Sequence, residues 1–301
     1  MILLKQMLIF FFLMMLGYYS ARKGVMDHKV SKSISWIVVN LANPALILSG
    51  GLGETVLGPF DILKAAVLSA AVFFVLILLA ELLLPLLPWG KEELGVYKVM
   101  LVFSNMGFMG FPIISAIYGT YALMYASVFL IPFNLLIYTY GVLCMGGKGK
   151  KRGLAEIFNA GVVACLVSFS ISLLKISVSD MAVNAIQMLS NLTAPLSMMV
   201  IGASFADIRP KELVGDGKML LFCAIRLLVI PVLGMMVIKS IINDPVLCGV
   251  CLVVLASPAG SMSVMLASQY EGSVETATKG VALTTLVSVV TMPFLFRIMG
   301  L

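Results

Sequence analysis

The chain has 301 residues, of which 61% are hydrophobic and 11% charged, with a net charge of +6. That balance excludes an ordinary soluble domain, where about a quarter of the residues are charged. The cations sit mostly on alternate loops, so the positive charge marks membrane topology and speaks against a nucleic-acid partner.

Apolar runs of about twenty residues, the length that crosses a bilayer, recur ten times, at roughly 3–21, 33–52, 63–87, 99–118, 122–145, 157–175, 183–206, 218–240, 246–268 and 279–299. The first run follows Lys5 and has the length of a signal-peptide core. Arg22 and Lys23 come after it and no small-residue cleavage site appears, so a retained helix is expected. Run two carries Asn43 before Pro44, and run five carries Asn134. Each asparagine at membrane depth reads either as interhelical glue worth about 0.6–2 kcal/mol or as a solute contact. Asp61 and Lys64, one turn apart at the start of run three, read as a local ion pair, and Glu81 as interfacial.

Runs four and nine are interrupted. The first interruption is Asn105-Met-Gly-Phe-Met-Gly-Phe-Pro112 and the second is Ala256-Ser-Pro258-Ala-Gly-Ser261. Broken helices in lipid leave backbone groups that protein, water or a ligand must satisfy. A matched pair of such breaks is the best sequence pointer to a transporter's binding site. A half-helix starting beyond each proline would aim its N–H groups, about half a positive charge, at the crossing, which suits a carboxylate. The bland alternative is a pair of packing kinks. Asn105 reads as a donor to the solute or as a cap for freed backbone groups. Ser257 reads as a further site residue or as a hydroxyl bonded to its own helix.

Run eight holds Arg226, roughly 12 Å past the cytoplasmic Lys218 at about 1.5 Å per residue. An arginine at that depth marks a pathway or snorkels to the headgroups. The candidate substrate-binding set is therefore Asn105, Gly110, Pro112 and Ile113 from the first break, Ser257, Pro258, Ala259 and Gly260 from the second, and Asn43, Asn134 and Arg226.

Loops after odd-numbered runs hold fourteen of the twenty Lys and Arg residues, among them Lys148, Lys150, Lys151 and Arg152. Both termini are thus expected outside the cytoplasm of a multi-pass cell-membrane protein. Five runs precede the basic linker and five follow it, which forces the halves into opposite orientations. The stretch from Asn40 through Pro44 to Gly51 aligns with that from Asn191 through Pro195 to Gly202 at an offset of 151, and Pro112 aligns with Pro258 at 146. The expected fold is an all-α polytopic membrane protein with ten helices in two inverted repeats, 1–147 and 157–301, joined by the linker 148–156.

Asn105 through Pro112 with Tyr118-Gly119, Ala194-Pro195 through Gly202-Ala203-Ser204, and Ser257-Pro258 through Gln269-Tyr270 followed by Pro293 carry a family resemblance. With them the chain resembles the auxin efflux carrier family, which includes plant PIN-type carriers and prokaryotic malate or malonate permeases. The resemblance implies a scaffold of helices 1, 2, 6 and 7, a mobile domain of helices 3–5 and 8–10, helices 4 and 9 crossing at their breaks, and elevator-type motion. The ninth-run break lacks the second proline frequent in plant carriers, which speaks against an indole-acid substrate. The short linker points to a prokaryotic form.

No nucleophile–base pair, phosphate loop or metal constellation is present. His28 is alone, and the five cysteines follow no disulfide or zinc spacing. No enzyme activity, cofactor or metal is expected. The expected function is secondary transport of small organic carboxylates, with the lipid bilayer and the solute as partners and a homodimer left open. Potential alone supplies about 2.3 kcal/mol per charge per 100 mV. A sodium-coupled symporter of the bile-acid type and a gated anion channel are the alternatives.

Overall fold

A computed structural model describes residues 2–52, 57–87, 89–90, 92–146, 160–207, 216–270 and 272–301. The linker 148–156, Lys91, Arg209 and Lys211 lie outside the described residues. The backbone is helical and contains no strand among the described residues. Among the described residues, seven helices are long and apolar enough to cross a membrane: Leu4–Arg22, His28–Gly51, Pro59–Leu86, Ala122–Cys144, Asp180–Ser204, Gly217–Ile241 and Val274–Met299. Met106–Tyr118, Ala160–Leu173 and Pro245–Ala256 are shorter apolar helices.

In chain order the helices are α1 (Ile2–Arg22), α2 (His28–Ile37), α3 (Asn43–Gly51), α4 (Pro59–Leu82), α5 (Leu94–Val102), α6 (Phe111–Tyr118), α7 (Ala122–Leu136) and α8 (Val142–Cys144). The second half continues with α9 (Ala160–Leu173), α10 (Asp180–Ser190), α11 (Thr193–Ser204), α12 (Gly217–Ala224), α13 (Ile230–Ile241), α14 (Pro245–Ala256), α15 (Met262–Gln269) and α16 (Val274–Met299). Asp27, Asp216 and Asp244 accept the first free N–H groups of α2, α12 and α14, which fixes where those helices start.

Three of the four described π-helical turns, Val38–Ala42, Met106–Gly110 and Ile225–Val229, join α2 to α3, lead into α6 and join α12 to α13, the fourth being Ile137–Gly141 between α7 and α8. Each of the three is followed at the second residue by a proline, Pro44, Pro112 or Pro231. A proline ring presses on the carbonyl four residues back and supplies no N–H. One extra residue in the preceding turn relieves the clash and lets the helix continue. Pro112 therefore does not begin a half-helix, as the sequence suggests. Helical backbone already runs from Met106, and Pro112 is the second residue of α6.

The chain forms two compact units. The first comprises Met1–Ala66, Gly107–Ile131 and Phe158–Asp207. In it α1 packs along α11, and a Cβ added at Gly17 or Gly202 would overlap the carbonyl oxygen of Met199 or Met14 respectively. Helix α3 packs on α9 in a related way. Gly51 meets the Ser168 backbone, and the Ser168 hydroxyl donates to the Ile47 carbonyl at 3.1 Å. Residues 17 and 168 are 151 apart, as are 51 and 202, so both close contacts involve positions related by the offset read from the sequence.

The second unit comprises Val67–Met106, Pro132–Ile157 and Ile208–Leu301. Phe73, Phe103 and Phe133 form one aromatic cluster, with centroids 5.4–6.3 Å apart. Trp89 stacks on Tyr97 at 4.2 Å, and Phe222 closes a second cluster. Asp61 and Lys64 form an exposed local pair at 3.5 Å, in the part of α4 that belongs to the first unit. Glu81 is not merely interfacial. It accepts from Lys98 at 2.5 Å and from the Tyr140 hydroxyl at 2.7 Å, beside a cavity of about 470 Å³.

Candidate functional site

Helix α5 stops at Val102 because Phe103 turns to extended backbone (φ −104°, ψ 106°). Helix α14 stops at Ala256 because Ser257 is extended (φ −62°, ψ 145°), the conformation that a following proline, here Pro258, imposes. The two extended stretches lie against each other in the second unit. Ser104 and Ala259 form an isolated antiparallel bridge pair. Asn105 N–H donates to the Pro258 carbonyl, and Gly260 N–H to the Phe103 carbonyl, both at 2.8 Å. Ala259 N–H donates to Thr284 Oγ1 at 3.1 Å, and that hydroxyl donates onward to the Gly280 carbonyl at 2.7 Å.

The counterpart of Ser257, Pro258, Ala259 and Gly260 is thus 103–105, upstream of the stretch around Pro112. The freed N–H groups of Asn105, Ala259 and Gly260 find protein partners, so these breaks need no ligand to satisfy them. What remains unsatisfied is side chain. Asn105 is 3% exposed, and its Nδ2 has no partner among the described residues. The hydroxyls of Ser257 and Ser263, both fully buried, likewise have none. Each such group costs about 1–3 kcal/mol when left unpaired. Three buried donor groups flanking one crossing are suited to donating to carboxylate oxygens.

Arg226 is fully buried and does not snorkel. Its Nε donates to the Met100 carbonyl at 3.3 Å and its Nη1 to the Leu255 carbonyl, while Nη2 has no partner among the described residues. Met100 and Leu255 lie in the last turns of α5 and α14, where carbonyls lose their helical donors. The π turn at Ile225–Val229 places the guanidinium there.

Asn134 is buried on α7 in the second unit, next to Phe133 of the aromatic cluster. The remaining sequence candidates lie in the first unit. Gly110, Pro112 and Ile113 are buried where the π turn passes into α6. Asn43 is buried at the start of α3, and its Nδ2 faces Gly107, 3.4 Å from where a Cβ would stand. Asn43 Oδ1 has no partner among the described residues.

Sequence reasoning missed Thr284. The signal for Thr284 lies in α16, where Thr284, Thr285 and Ser288 are fully buried in an otherwise apolar stretch. Thr284→Val keeps the volume but leaves Ala259 N–H without its acceptor. The expected loss is about 1–3 kcal/mol, read as a lower melting temperature in detergent, with Thr284→Ser close to wild type. Equal melting of the valine and serine variants would contradict this role for the hydroxyl.

The chain matches the family model described as membrane transport protein over residues 2–160 and 150–296. It is similar to an uncharacterized transporter of Methanothermobacter thermautotrophicus, 23% identical over 298 residues that cover 93% of each chain. It is also similar to an uncharacterized transporter of Methanocaldococcus jannaschii, 24% identical over 304 residues that cover 95% of each chain. With matches along nearly its whole length and apolar helices throughout, the chain belongs to the membrane transport protein family of auxin efflux carriers and is a multi-pass membrane transporter.

Proposed function

We propose that the protein is a secondary transporter of small organic carboxylate anions, bound at the crossing of its two interrupted helices. The observation that carries this reading is the set of buried, unpartnered donors, Asn105 Nδ2, Ser257 Oγ and Ser263 Oγ, around the paired breaks. The helices resuming at Met106 and Met262 add N-terminal dipole ends of the sign a carboxylate needs. Asn134, in the same unit as the crossing, belongs to this proposed set.

Ten spans in two inverted repeats belong to the same proposal. The close glycine contacts at positions related by an offset of 151 support it, as does the presence of one interrupted run in each half. Runs one, two, six and seven fall in the first compact unit, run three from Val67 onward and runs eight to ten in the second, while four and five are divided. This partition supports a scaffold and a moving body, hence elevator-type alternating access. Placement in the cell membrane with both termini outside the cytoplasm follows from the Lys and Arg asymmetry alone.

The test is a melting-temperature screen of mono- and dicarboxylates on purified protein, followed by flux of the best ligand in proteoliposomes. A saturable stabilisation is expected in wild type and is expected to fall at least about tenfold in apparent affinity in Asn105→Ala, the cost of about 1.4 kcal/mol. Labelled solute inside the vesicles should leave faster with unlabelled solute outside, which a channel does not do. An Asn105→Ala response equal to wild type removes Asn105 from the site, and no response to any acid removes the carboxylate.

A further inference from the structure

Each interrupted helix offers two opposite ends to its break. The half that stops, α5 or α14, presents carbonyls equivalent to about half a negative charge, and the half that resumes presents N–H groups and about half a positive charge. Over two breaks these contributions cancel. Bare crossed helices therefore give an anion no advantage over a cation. Transporters with discontinuous helices commonly fill both poles, with anionic solute groups at N-terminal ends and Na⁺ or a proton at unwound carbonyls and C-terminal ends.

In this protein the carbonyl pole already holds a cation. The Arg226 guanidinium bonds one carbonyl from the last turn of each stopping half, Met100 from α5 and Leu255 from α14, although these are 126 and 29 residues away in sequence. Its burial is complete, and no carboxylate forms an ion pair with it among the described residues. Two half-charges from helix ends are about what one guanidinium needs, and buried membrane cations do pair with backbone carbonyls.

We propose that Arg226 is a tethered substitute for a coupling cation: it fills the carbonyl pole that a sodium ion would occupy and leaves the crossing net positive toward the solute. The inference rests on the crossing being the solute site. It makes Arg226 a specificity-determining residue that acts mainly through the field of the crossing, with Nη2 as a spare donor for solute or water. It also removes the need for Na⁺, so export or import runs on solute gradient and membrane potential.

The experiment compares wild type, Arg226→Met and Arg226→Lys, melted in NaCl, LiCl, KCl and choline chloride at equal ionic strength. Wild type is expected to melt at one temperature in all four salts. Arg226→Met is expected to melt lower in choline and to recover saturably in Na⁺ or Li⁺, by about 2–4 °C at about ten times the dissociation constant. Arg226→Lys, which keeps the charge, is expected to ignore the cation. Sodium-dependent stabilisation of wild type overturns the proposal, as does an Arg226→Met protein that folds but responds to no small cation. If Arg226→Met does not fold, Arg226→Lys decides: a sodium response there overturns the substitution, and indifference supports it. Carboxylate shifts measured on wild type in the same salts test the solute reading separately, since their absence leaves the cation pattern untouched.

Discussion

Gly202→Val is expected to leave no folded protein, and Gly17→Val to do the same. In an α-helix the carbonyl of one residue points along the axis toward the amide four residues on. Gly17 lies against the Met199 carbonyl and Gly202 against the Met14 carbonyl, so each glycine admits the backbone of the other helix. Such pairs let backbones touch, with Cα–H groups against carbonyls, and packing of this kind replaces the hydrophobic drive that helices lack in lipid. The obstacle to a side chain is backbone on both sides, so no rotamer relieves it. The helices would have to part along the most extensive contact of the first unit. Fluorescence-detected size exclusion after detergent extraction reads the result. Gly217→Ala is the control, because nothing lies within 4 Å of its added Cβ. A monodisperse Gly202→Val peak matching the control would show that the close approach is dispensable.

Seven of the ten expected spans appear among the described residues as helices long and apolar enough to cross, and they were legible because each repeats one simple physical requirement, about twenty apolar residues. The glycine contact was half legible: the offset of 151 aligned Gly51 with Gly202, yet nothing local said that either touches another backbone. Proline misled the placement of the first break. Pro44, Pro112, Pro132, Pro231 and Pro293 all lie within helical backbone, whereas Pro258 sits in an interruption. A proline widens the preceding turn at Pro44, Pro112 and Pro231, sits inside a continuing α-helix at Pro132 and Pro293, and follows a stopped helix at Pro258, and the residue alone does not say which. The mismatch between the two offsets, 146 for Pro112 and 151 for the glycine-bearing runs, was the available warning. Nothing in Phe103-Ser104-Asn105 forces an extended backbone. Its pairing partner lies more than 150 residues away, and distant pairing overrides local preference there. Arg226 was visible as a buried charge, but its partners are main-chain carbonyls, which every residue possesses and no composition reveals.

Gly260→Val is expected to abolish carboxylate binding and flux while the protein still extracts as a folded species. A Cβ at Gly260 would stand 3.0 Å from both the Phe103 and the Ser104 carbonyl oxygens, because its N–H bonds Phe103 across the bridge. A methyl alone strains this contact, and the branched valine adds two carbons to it. Overpacking costs about 1–3 kcal/mol, and parting the strands to relieve it sacrifices the bonds at Gly260 and Asn105, each buried group then costing about 1–3 kcal/mol more. The least costly response is to open the bridge, which swings Asn105 away from Ser257. Binding should therefore fail before folding does, because the aromatic clusters and the Arg226 bonds lie outside the bridge itself. A graded series measures this: Gly260→Ala should weaken carboxylate stabilisation, and Gly260→Val should remove it and stop exchange in proteoliposomes. Should Gly260→Val bind and exchange as wild type does, the paired breaks would have no part in holding the solute.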